Sequence, residues 1–313
     1  MVYKKRKKWI VITSAMLCAI IIFLLIGFMA FRASTSGTVL EKQPFESQAL
    51  QKTKYYSIYL PPGYYTSNRS YPTVYLLHGA GEDGLAWIWN RGIVETLDIF
   101  ISEGKIVPMI VVMPDAGHGN KPCSDNTHFY VNRYDGTANY EDYIVNDLVS
   151  YIDATYRTIP DRLHRASAGN SMGGYGALSL AMKHTDKFSV VAVNDPALIK
   201  GIPPKVMMET FLGESSGWAF GKPFNEEYWI ENSPFTFVNT AKNLEKLDIY
   251  FDVGDDDRFG LYEGAAYLHI DLVKVGIKHE FRIYDGDHGW EYEREHIKDA
   301  LIFISTSWST WKA

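Results

Sequence analysis

The 313-residue chain carries 31 Lys and Arg against 37 Asp and Glu, and the charge is split unevenly, because residues 1–33 hold six basic side chains and no acid. Removing those six leaves 25 basic against 37 acidic residues, a net charge of −12 that excludes a nucleic-acid binder obliged to offset phosphate. Only two cysteines occur, Cys18 in an apolar run and Cys123 without a Cys-x-x-Cys or metal-ligand spacing, so neither a disulfide scaffold nor a structural metal site is expected.

Residues 1–8 form a basic tail ending in Lys4-Lys5-Arg6-Lys7-Lys8, and Trp9 to Phe31 follows as 23 residues without a charge. As a helix that run is about 34 Å long against a hydrocarbon core of about 30 Å, enough to cross a membrane once. The basic flank keeps the N-terminus in the cytoplasm and the large C-terminal part outside the cell membrane. A cleaved signal peptide followed by secretion is the competing expectation, although the run exceeds the usual roughly 7–15 apolar residues and puts bulky Phe31 at −3 from Ala33.

Residues 32–50 are polar and without period, and read as a linker to a domain over residues 51–313. Lys54–Leu60 reads as a strand stopped by Pro61-Pro62-Gly63. Thr73–Leu77 reads as a buried strand running into Gly79-Ala80-Gly81, and Val107–Met113 as another, closed by Pro114. From Asn139 to Tyr156 the spacing is helical, with Tyr140, Ile144, Leu148, Tyr151 and Ile152 on one face and Asn139 with Asp142 as the expected cap.

Arg165–Gly169 is a short predicted strand and Gly174–Lys183 a predicted helix. Strands at Phe188–Val193, Leu247–Val253 and Glu280–Tyr284 follow, with helical stretches over residues 259–275 and 291–306. This alternation predicts an α/β fold, a mostly parallel sheet covered by helices on both faces. Residues 200–243 interrupt it with Trp218, Phe220, Phe224, Tyr228 and Trp229, and are expected to form a cap-like insertion, with ordinary satellite packing as the alternative.

Gly169-Asn170-Ser171-Met172-Gly173 sits between the predicted strand and helix. Flanking glycines there permit a sharp elbow that lifts a serine hydroxyl off the end of a strand. Such a nucleophile needs a base, an acid to orient the base, and backbone donors for the oxyanion. His288, in the loop after the last predicted strand, is the expected base. The acid belongs in Asp255-Asp256-Asp257 after the strand before it, with Asp257 preferred, Asp256 second and Asp255 third. Backbone N–H groups of Met172 and Ala80 are the expected oxyanion donors. Gly79-Ala80-Gly81 lacks the Lys-Ser/Thr ending of a phosphate loop, which argues against nucleotide binding.

Five short motifs in order then resemble the putative-esterase family of α/β-hydrolases, which includes feruloyl and acetylxylan esterases and S-formylglutathione hydrolase. They are Tyr59 to Tyr64 (YLPPGY), Tyr75 to Gly79 (YLLHG), Tyr140 to Tyr143 (YEDY), Gly169 to Tyr175 (GNSMGGY) and His288 to Trp290 (HGW). The resemblance implies an α/β-hydrolase fold over roughly Tyr55 to Ile304, with Ser171, Asp257 and His288 as triad, Met172 and the Ala80 loop at the oxyanion, and no cofactor or metal. Asn170 and Asn194-Asp195-Pro196 depart from the family's usual residues beside the pocket. His118, Tyr130 and Trp218 are the expected substrate-binding residues. The expected activity is hydrolysis of an acyl ester of acetyl or feruloyl type, carried on carbohydrate. An acyltransferase with the same triad and a non-catalytic surface-binding protein on a hydrolase scaffold are the alternatives.

Overall fold

The computed structural model describes residues 36–117, 128–205 and 219–310. The linker's first residues, the predicted span Trp9–Phe31, both cysteines, His118 and Trp218 lie outside them. Among the described residues no helix is long and apolar enough to cross a membrane.

Eight strands form one sheet in the order β1-β2-β4-β3-β5-β6-β7-β8. In chain order they are β1 (Thr38–Ser47), β2 (Lys52–Leu60), β3 (Thr73–Leu77), β4 (Ile110–Pro114), β5 (Arg165–Asn170), β6 (Val190–Asn194), β7 (Asp248–Gly254) and β8 (Glu280–Tyr284). β1 and β2 run antiparallel to their neighbours, and β3 through β8 pair in parallel. The helices are α1 (Ala86–Trp89), α2 (Ile93–Ser102), α3 (Tyr140–Asp142), α4 (Val149–Thr155), α5 (Ser171–Lys183), α6 (Glu226–Glu231), α7 (Pro234–Thr240), α8 (Leu261–Lys274) and α9 (Trp290–Thr310).

The central strands are apolar throughout because both faces are covered. In β3, Val74 and Leu76 join the core layer containing Ile297, Leu301 and Ile304 of α9, while Tyr75 and Leu77 join the opposite layer with Leu148, Leu178 and Phe251. Alternating side chains thus fill two cores, as a parallel sheet between helical layers requires.

Residues 38–47, assigned from sequence to the linker, instead form the edge strand of the sheet. Its one buried apolar side chain, Phe45, gave no alternation to read. A bulge between Leu40 and Gln43, with Lys42 at φ 48°, breaks the ladder, and charged side chains face outward, a common way of closing an exposed sheet edge. Asp147 anchors the strand's end by accepting from Ser47 Oγ at 2.7 Å and Ala49 N at 2.8 Å.

The predicted helix at 139–156 is present as α3, a π-helical stretch (Tyr143–Leu148) and α4. Its cap differs from expectation. Asn139 makes no side-chain cap bond; Asn132 Oδ1 accepts from Glu141 N at 3.0 Å and Asp142 N at 3.2 Å. In the 200–243 insertion, Asn225 and Ser233 cap α6 and α7. Trp229 is buried there and stacks on Tyr175 of α5 at 5.7 Å, with Phe220 and Phe129 against its edges. These aromatics pack the insertion onto α5.

Candidate active site

The parallel strands deliver their C-terminal loops to one edge of the sheet, where ligands bind in open α/β folds. β5 ends at Asn170 and α5 begins at Ser171, whose φ of 51° places it in the left-handed region that L-residues avoid. The surrounding packing enforces that elbow. A Cβ on Gly169 would lie 2.6 Å from Gly173 O, and one on Gly173 would lie 2.4 Å from Leu77 O, so neither position admits a side chain. Ser171 is partly exposed while Asn170 and Met172 beside it are buried.

Ser171 Oγ lies 3.0 Å from His288 Nε2, and His288 Nδ1 lies 2.9 Å from Asp257 Oδ2. Because a carboxylate only accepts, Nδ1 carries the imidazole proton and Nε2 is left to accept from the serine. Of the three consecutive aspartates only Asp257 turns inward. Its Oδ1 accepts from Phe259 N at 2.8 Å and Leu261 N at 3.4 Å at the start of α8. Asp255 and Asp256 are exposed, and Asp255 Oδ1 accepts from Gly286 N.

Arg258 ties the acid loop to the histidine loop, pairing through its guanidinium with Asp287 and donating its backbone N–H to Asp287 Oδ1 at 2.9 Å. The Phe259 ring meets the imidazole edge to face at 5.0 Å. Burial works against a charged imidazole, but the Asp257 hydrogen bond and the charges of Asp195, Asp257 and Glu293 outweigh it, so the His288 pKa is raised above 6.5.

Met172, expected as an oxyanion donor, lies in the first turn of α5, where amides have no intrahelical partner. The β3 loop approaches so closely that a Cβ on Gly79 would sit 3.6 Å from Ser171 Cβ. Gly79 N donates to Glu82 Oε2 at 3.0 Å, and the adjoining Ala80 is exposed at the loop's tip. His78, from the same motif, is a satisfied core residue: its Nε2 accepts from Ala116 N at 3.1 Å and its Nδ1 donates to Gly79 O at 2.8 Å.

Tyr130, expected at the substrate, is fully buried and donates its hydroxyl to His78 O at 3.0 Å. Among the described residues it packs beneath the loop that carries Ala80, with no surface exposed.

A charged cluster that no local motif announces lies beneath the site. Arg91 is 1% exposed and donates to Glu293 Oε2 at 2.5 Å and Glu82 Oε1 at 3.0 Å. Asn170 Nδ2 donates to Glu293 Oε1 at 2.6 Å, and exposed Trp290 donates its indole N–H to Glu82 Oε1 at 2.9 Å. Glu82 therefore fixes Gly79 and Trp290, and Glu293 fixes Asn170 before Ser171, so one buried guanidinium organises three loops around Ser171 and His288.

The sequence matches the family model described as "Putative esterase" over residues 47–304. Its span contains the whole constellation above. The chain belongs to that family. It is 34% identical over 261 residues to Esterase Rv1288 of Mycobacterium tuberculosis, covering 78% of this chain and 54% of the relative. It is 28% identical over 165 residues to an endo-1,4-beta-xylanase/feruloyl esterase of Xylanibacter ruminicola, covering 51% of this chain and 22% of that protein. The chain thus spans about half, or less, of the length of these curated relatives. Among solved structures, a ferulic acid esterase superposes with a TM-score of 0.74 at 26% identity, covering 87% of this chain and 99% of the other.

Proposed function

We propose that the chain is a serine carboxylesterase that forms an acyl-enzyme on Ser171 and releases the acid with water. The observation that carries this is the hydrogen-bonded line Ser171 Oγ, His288 Nε2 at 3.0 Å, His288 Nδ1 to Asp257 Oδ2 at 2.9 Å. His288 takes the hydroxyl proton as Ser171 attacks the ester carbonyl, and Asp257 stabilises the resulting imidazolium. Met172 N and Ala80 N are assigned to the tetrahedral oxyanion. Collapse expels the alcohol with the proton from Nε2, and water, deprotonated by the same nitrogen, then frees the acid.

The substrate assigned is an acetyl- or feruloyl-type ester on carbohydrate, with Trp9–Phe31 holding the domain outside the membrane. The likeness to feruloyl esterases supports the substrate, and a groove of about 550 Å3 on the outer side of His288, lined by Arg258, Asp287, Trp290 and Glu291 but not by Ser171, is the surface assigned to the alcohol part. A panel of acetyl, butyryl, longer-chain and feruloyl esters, tested on the full-length protein and on Ser171→Ala, examines this reading. Turnover lost by at least about 10⁴-fold across the panel in the variant is expected. Turnover surviving that substitution contradicts it.

A further inference from the structure

Behind His288 stands a second carboxyl group. Asp195 follows β6, is 0% exposed, and takes φ 43°, a left-handed conformation that only surrounding packing sustains in a residue with a side chain. Its backbone N–H donates to Asp252 O at 2.9 Å and its Oδ1 accepts from Gly254 N at 2.9 Å, so both backbone and one oxygen are fixed. The other oxygen, Oδ2, is buried without a hydrogen-bond partner and lies 3.9 Å from His288 Nδ1, the nitrogen that bonds Asp257. A buried carboxylate oxygen without a partner is costly, and its position beside a catalytic imidazole calls for an electrostatic role.

We propose that Asp195 is a second acid of the triad, a positioning residue that supplies negative charge to His288 alongside Asp257 and holds the imidazole when Asp257 is absent. This rests on the assignment of Ser171, His288 and Asp257 given above. When His288 gains the serine proton, two carboxyl groups face the new cation, and a shift of about 1 Å brings Asp195 Oδ2 into hydrogen-bond range of Nδ1. Charged and titratable groups facing this centre are Asp257 after β7, Asp252 in β7, Glu293 and Tyr292 in α9, and Asp287, which accepts from His288 N. Burial pushes the Asp195 carboxyl up to about 8, while the His288 charge and the Gly254 N–H pull the other way and Asp195 in turn raises His288, so the two titrate as a pair and Asp195 carries its charge when the imidazolium faces it.

The test uses full-length enzyme and two substitutions. Asp195→Asn keeps the acceptor for Gly254 N and removes the charge, so the acidic limb of kcat/KM against pH is expected to move to lower pH. A carboxyl that merely braces Gly254 leaves the limb in place, which overturns the proposal. Asp257→Ala is expected to lose about 10²-fold in kcat/KM, and Asp257→Ala with Asp195→Asn about 10⁴-fold, the usual cost of a triad without its acid. Equal losses in the single and double variants also overturn it.

Should Asp195→Asn not fold, a downfield Nδ1 proton resonance of His288 persisting in Asp257→Ala supports the second acid, and its disappearance refutes it. Ser171→Ala run in parallel separates the two levels. Activity surviving there removes the assignment of the site, whereas inactive Ser171→Ala with an unmoved limb in Asp195→Asn removes only the role of Asp195.

Discussion

Arg91→Met tests the buried charge cluster beneath the Gly79-Ala80-Gly81 loop. The substitution keeps the length and apolar stem of a side chain that is 1% exposed, but strands Glu293, 2% exposed, and Glu82, 14% exposed, without their cation. Removing one partner of a buried ion pair costs about 3–5 kcal/mol. For a domain of this size each kcal/mol moves the melting midpoint by roughly 2–4 °C, giving a drop on the order of 6–20 °C. Activity falls as well, because Glu82 no longer holds Gly79 N at 3.0 Å and the Trp290 indole at 2.9 Å. A misplacement of about 1 Å at a reacting centre costs up to about 10²-fold, expected chiefly in kcat. Thermal unfolding followed by circular dichroism, with kcat on a chromogenic acetyl ester below the new midpoint, reads both effects. A melting shift under about 2 °C with kcat within twofold of wild type refutes the argument that this guanidinium organises the site.

The raised His288 pKa sets the pH response, since the base must be unprotonated at Nε2: activity is lost as pH falls through a value above 6.5, and an acidic limb centred at or below 6.5 contradicts this. The same shift stabilises the fold fully at pH below the unfolded histidine's pKa and ceases to do so as pH rises through the folded value, which acid-range unfolding experiments on His288→Gln check. Gly173→Ala puts a Cβ 2.4 Å from Leu77 O, so about 1–3 kcal/mol of stability and most fluorophosphonate labelling should be lost; a fully labelled, stable variant refutes the packing argument for the elbow. Trp290→Ala removes an indole 53% exposed beside the groove and is expected to raise KM for a feruloylated oligosaccharide about 2- to 10-fold, from 0.5–1.5 kcal/mol of aromatic contact, while KM for a small acetyl ester stays within twofold.

What was legible in the sequence follows what is local. Strands β3 and β8 match their expected ends, and Ser171, Asp257 and His288 are carried on turns whose residues identify them, so the constellation was readable before any geometry. β1 was read as a linker because an edge strand facing solvent, with Pro44, charged residues and a bulge, lacks the alternation that burial imposes. Tyr130 was expected at the substrate because aromatic character alone does not show where a side chain faces; in the fold its ring is buried and its hydroxyl bonds His78 O. Arg91 and Glu293 meet across 202 residues, a pairing that no periodicity or motif encodes. Asp195 stood out in the sequence as a departure from the family pattern, but its approach to His288 depends on a left-handed backbone turn that the sequence alone does not reveal.

The claim on which the account turns is that an acyl group is passed to Ser171. Full-length enzyme quenched with acid during turnover of a feruloyl or acetyl ester, digested and read by tandem mass spectrometry, is predicted to carry the acyl mass on Ser171 and to lose it in Ser171→Ala. An acyl group on another residue, or a fluorophosphonate adduct that survives Ser171→Ala, contradicts it.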